Sequence, residues 1–139
     1  MNDKQRKAEH YLTQIRNMDR EISEMILKID YLRYKASGTG AIRYDKDHVQ
    51  TSPEDMVCDA ITEAVDLERK LSDRNKELMR MRFNTEKIIE LWGDNQAKFI
   101  STYYLNRGSM MDVARICRCS SRNAYFIKLK ALEEFSKHL

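Results

Sequence analysis

Residues 109–135 read SMMDVARICRCSSRNAYFIKLKALEEF, and the class of fold follows from this stretch. Ser109, with Asp112 three residues on, has the pattern of a capping box. In that motif the hydroxyl takes the amide at the third helical position and the acid returns to the serine amide. A short helix is expected from there to about Cys117. Arg118-Cys119-Ser120 reads as a three-residue turn, and Ser120 can cap a further helix in which Ala124, Ile127, Ala131 and Phe135 recur on one side. Two short helices joined by a tight turn, the second capped and basic, form the helix-turn-helix pattern.

With Ala124, Ile127 and Ala131 turned inward, Ser121, Arg122, Tyr125, Phe126 and Leu129 point outward, and Asn123 and Lys130 lie on the flank. The second helix of such a unit lays its first turns against base edges in the major groove. Arg122 can bond a guanine bidentately, Asn123 an adenine, and Phe126 can touch a thymine methyl. Ser121 and Tyr125 share that side. Arg107, Arg115, Arg118, Lys128 and Lys130 are candidates for phosphate contacts, which supply affinity and salt dependence but little sequence choice. The same pattern also suits a protein-interaction module, and apolar Phe126 and Leu129 on the outward side are features of that alternative.

Upstream, Arg107-Gly108 is a turn, and Asp94 can cap a helix through about Asn106 with Ala97, Ile100 and Tyr104 on one face. Residues 94–139 hold eight Lys+Arg against four Asp+Glu, whereas residues 1–93 hold 17 against 18, so the net charge of +3 belongs to the C-terminal third. The first 93 residues have a different character. From 3 to 35 there is neither proline nor glycine, and Ala8, Tyr11, Ile15, Met18, Ile22, Met25, Ile29 and Leu32 step by three and four. That is a long helix with one narrow stripe, which needs a partner helix to be stable in water. Residues 36–52 break the pattern and read as a connection. Ser52-Pro53-Glu54-Asp55 starts a second long helix, expected to run from about 53 to 92. Its seam is Val57, Ala60, Ala64, Leu67, Leu71, Leu78, Met81, Ile88 and Trp92, interrupted by Arg74 and Thr85. Gly93 is expected to end it in the left-handed conformation. Two such helices most simply pair as an antiparallel hairpin, although the seam suits pairing between subunits equally well.

The whole chain of 139 residues has one proline and four glycines. Such a composition opposes an all-β sandwich and excludes collagen-like and linker-like classes. The expected architecture is all-α. Residues 1–92 form a two-helix coiled-coil or oligomerisation region with a loop at about 36–52, and residues 94–139 form a helix-turn-helix DNA-binding domain. Three cysteines make no disulfide framework. No apolar run suits a signal peptide or a membrane span, so a cytoplasmic protein without a membrane partner is expected. Cys117 and Cys119 lack further ligands for a metal, and Cys117 falls where a core residue belongs. Asp45-Lys46-Asp47-His48 lacks the glycine and glutamate of a calcium loop. No nucleophile, base and oxyanion donor assemble, so no enzyme, cofactor or metal site is expected.

The stretch from Lys98 to Leu132 resembles region 4 of the sigma-70 family, the helix-turn-helix that reads the −35 promoter element. The matching features are Tyr103-Tyr104-Leu105-Asn106-Arg107-Gly108, then Asp112-Val113-Ala114, Ser120 and Ala131-Leu132. Within that superfamily most of the chain resembles phage late transcriptional regulators of the RinA and ArpU type from Gram-positive hosts. Here the carrying residues are Tyr11-Leu12-Thr13-Gln14-Ile15-Arg16, Val65-Asp66-Leu67-Glu68 and Asn123-Ala124-Tyr125. The sequence departs from the pattern at Arg118, where glycine is usual, and at Met111-Asp112-Val113-Ala114, where Glu-Glu-Ile-Ala is usual. The resemblance implies a phage or prophage late-gene activator in the host cytoplasm. It would bind promoter or operator DNA as a dimer or tetramer, with host RNA polymerase as a further partner. A phage small terminase-like DNA-packaging subunit and a coiled-coil protein-interaction adaptor remain the alternatives.

Overall fold

The computed structural model describes residues 1–37 and 53–139. Among these there is no strand. Two long helices, α1 (Asp3–Ala36) and α2 (Pro53–Ile89), precede α3 (Asn95–Phe99), α4 (Met110–Cys117) and α5 (Ser121–Ser136). The Ser52 cap, the 45–48 stretch and nearly all of the expected 36–52 connection lie outside the described residues.

The described chain divides into two compact units, and the division does not fall at the expected boundary near residue 93. One unit joins Met1–Asp19 to Glu77–Leu139, and the other is Arg20–Lys76. The physical reason is the α1 stripe. Its first half, Ala8, Leu12 and Ile15, is wholly buried in the same unit as Phe99, Tyr104, Ala131, Leu132 and Phe135. The rings of Tyr11 and Phe135 lie 5.7 Å apart. Asn2 opens α1 by a reciprocal pair of bonds, the Gln5 amide donating to Asn2 Oδ1 at 2.8 Å and the Asn2 amide to Gln5 Oε1 at 2.9 Å. Leu12 and Leu132 are core residues that the heptad reading passed over. Thr85 does not break the α2 seam. It is fully buried, and its hydroxyl donates to the Met81 carbonyl one turn back at 2.9 Å.

Two expectations about helix ends need correction. α2 stops at Ile89 rather than 92, and Gly93 is not left-handed. Trp92 instead donates its amide to the Ile89 carbonyl in a closing turn, which leaves Asp94 extended to cap α3. The helix after Asp94 is α-helical only as far as Phe99. Ile100–Leu105 is π-helical, and its wider turn carries Ile100, Tyr104 and Leu105 into the core while Tyr103 stays half-exposed.

In the second unit Leu32, Ala60 and Ala64 form a small core with Ala36 and Leu67 against it. Ion pairs link Glu21 with Arg74, Lys28 with Glu63 and Arg33 with Glu68. Glu21 pairs with Arg74 whereas Leu32 packs with Ala60 and Ala64, so within this unit the later part of α1 lies against the earlier part of α2. Met25, Leu67 and Leu71 from the expected stripes are half-buried here, and Arg74 sits at the exposed edge.

Candidate nucleic-acid interface

Local chemistry builds α4 and α5 one turn at a time. Ser109 Oγ accepts from the Asp112 amide at 3.2 Å, and the Ser109 amide donates to Asp112 Oδ2 at 2.9 Å, which completes the expected capping box. The Ser109 amide first, and its hydroxyl second, hold the Asp112 carboxyl below the usual carboxylate range. α4 ends at Arg118, which is left-handed at φ 53°, ψ 50°. That geometry lets the Cys119 amide reach the Ala114 carbonyl at 2.9 Å and close the turn. Glycine would hold this conformation without strain; arginine holds it at a cost of about 1 kcal/mol. Ser120 then accepts from the Asn123 amide at 3.2 Å and starts α5.

α5 is two-sided. Ala124, Ala131, Leu132 and Phe135 are fully buried and Ile127 is half-buried. Ser121, Arg122, Asn123, Tyr125, Phe126 and Lys130 are exposed, and Arg118 stands beside them on the turn. Tyr125 and Phe126 keep 49% and 50% of their surface open. Arg115 is also exposed and donates to Asp112 at 2.8 Å within α4. The remaining candidates are placed differently. Arg107 is left-handed at φ 57° and its guanidinium lies 3.5 Å from Asp19. Lys128 is half-buried, with Nζ 3.0 Å from Glu9 and 5.7 Å from the centre of the Tyr103 ring. Leu129, expected to point outward, is half-buried.

Residues remote in sequence hold this two-sided unit from behind. Arg16 lies 4.4 Å over the Tyr103 ring and donates to the carbonyls of Tyr103 and Gly108 at 3.2 and 3.1 Å. Arg82 donates to the Leu105 carbonyl at 2.7 Å, and Gln5 Nε2 to the Leu129 carbonyl at 3.0 Å. Two arginines thus take carbonyls that the π-helix and its exit would leave unpaired. Gly108 is required by close approach, because a Cβ there would lie 2.8 Å from the Thr102 carbonyl oxygen. The sequence reading missed Gln5, Glu9, Arg16 and Arg82 as positioning residues. Each is an ordinary polar residue beside a helix stripe, and its partner lies between 23 and 124 residues away.

Burial pushes the Cys117 thiol up, with Cys119 adding to the shift and Lys98 opposing it. Among the described residues no three His, Cys, Asp or Glu side chains gather to hold a metal ion, and no helix is long and apolar enough to cross a membrane. Comparison with known proteins finds no matching family model, curated protein or solved structure.

Proposed function

We propose that the chain is a sequence-specific DNA-binding transcriptional regulator of a phage or prophage, acting as a late-gene activator. In this reading α4, the left-handed turn and α5 are a helix-turn-helix. Arg122, Asn123, Phe126 and their neighbours Ser121 and Tyr125 face the major groove, while Arg115, Arg118 and Lys130 approach phosphates. The observation that carries the reading is the two-sided α5. Its small residues are sealed inside, and its first two turns offer a guanidinium, an amide and two aromatic rings to the outside. One such unit makes few base contacts, so a second copy is the physical route to operator affinity.

The test is selection from a random DNA pool, followed by binding of the selected duplex across a salt series. Wild type should enrich one site and lose affinity linearly in log salt. The double variant Arg122→Glu, Lys130→Glu should keep its helical circular dichroism and bind on the order of 100-fold more weakly. A folded double variant with unchanged affinity removes the groove assignment. A second reading, a protein-interaction adaptor, is favoured by the half-open Tyr125 and Phe126 and by Met111, which is 78% exposed. It requires that mixed-sequence DNA show no salt-dependent binding.

A further inference from the structure

We infer that the outer stripe of α2 within Arg20–Lys76 is a two-fold contact with a second copy of this chain, centred on Val65. This deepens the oligomer part of the proposal and does not depend on its DNA part. Val65 and Ile61 are exposed, Ile61 at 49%, about a third of a turn round α2 from the buried Ala60 and Ala64 and the half-buried Leu67. Beside them lies a groove of about 270 Å³ lined by Arg33, Ala36, Ser37, Ile61, Ala64 and Val65. At 100° per residue, positions four, seven and eleven before Val65 share one line along the helix with those four, seven and eleven after it. Those positions are Ile61, Cys58 and Glu54 on one side and Arg69, Ser72 and Lys76 on the other, all exposed.

The occupant follows from charge. On this stripe the acid, Glu54, lies before Val65 and the bases, Arg69 and Lys76, lie after it, whereas Glu63, Glu68 and Arg74 are already paired with α1. An antiparallel copy turned about Val65 sets each acidic half against the other's basic half. Val65 then meets its own counterpart. The Arg69 stem covers the partner's Ile61, Cys58 faces the partner's Ser72, and Glu54 faces the partner's Lys76, each pair occurring twice. A parallel copy would bring like charges together. The buried residues of this unit form one narrow stripe, Ile22, Ile29 and Leu32 of α1 with Ala60 and Ala64 of α2, and a second copy on the outer side of α2 would add to the apolar surface it buries.

Mass in solution, measured by sedimentation without DNA, tests the contact. Wild type should be a dimer or a multiple of one. Glu54→Lys alone and Lys76→Glu alone should each weaken association on the order of tenfold, because each change acts twice. An equal mixture of the two variants should associate as wild type does, since the mixed dimer regains both ion pairs, one native and one with its signs exchanged. Leu27→Glu, on the α1 face away from this stripe, should leave the mass unchanged. A monomeric wild type overturns both the inference and the oligomer in the proposed function. An oligomer that ignores the charge exchange, or that Leu27→Glu dissolves, overturns this surface and leaves the oligomer standing.

Discussion

Tyr104 is nearly fully buried, and its hydroxyl has no hydrogen-bond partner among the described residues. Burial is the main reason its phenol resists ionisation, with Glu9 and Tyr103 adding to it against Arg16. An unpaired buried hydroxyl costs free energy that a phenyl ring does not. Tyr104→Phe should therefore leave stability unchanged or raise it by up to about 1 kcal/mol in urea unfolding. A loss above about 1 kcal/mol would show that the hydroxyl is satisfied after all. Arg118 shows how a residue can be legible while its conformation is not. The turn was readable from Ser120 and the short spacing between the two helices, yet only the backbone shows Arg118 itself in the left-handed region at φ 53°.

The helices owe their starts to short-range chemistry, and this was the most legible layer. Ser109, Asp94 and Ser120 all cap where the spacing placed them. The capping box also carries a pH dependence. Hydrogen bonds from Ser109 depress the folded-state Asp112 pKa, so their contribution is present above the ordinary carboxylate range. It is lost as pH falls through the depressed folded value. The first turn of α4 should loosen below about pH 4, read by amide exchange at Asp112 and Val113. Ser109→Ala should reduce that acid sensitivity, because it removes the hydroxyl partner. Equal acid loosening in the variant would place the cause elsewhere. Helix ends were less legible. Nothing local in the 100–105 segment distinguishes a π-helix from an α-helix, since the choice depends on which rings reach the core and on Arg16 and Arg82 arriving from other helices.

At the scale of the molecule, the unit that carries the candidate interface is assembled from both ends of the chain. Lys128 illustrates the consequence. By spacing it belongs with the phosphate-contacting bases, but it is paired to Glu9 of α1. Lys128→Met should lower folding stability by about 1 kcal/mol and leave the salt slope of DNA binding unchanged, whereas Lys130→Met should reduce that slope by about one ion. A slope reduced by Lys128→Met as much as by Lys130→Met would show Lys128 to be a phosphate contact. The sequence alone determined the helical class, the two long stripes, the caps and which side of α5 is buried, because periodicity and capping act over at most a few turns. Only the tertiary structure decided that the first half of α1 belongs with α3–α5, and which bases are held by acids far along the chain. The contacts that assemble this unit span as much as the 124 positions between Gln5 and Leu129, and the strength of a contact depends on distance in space, which no local pattern records.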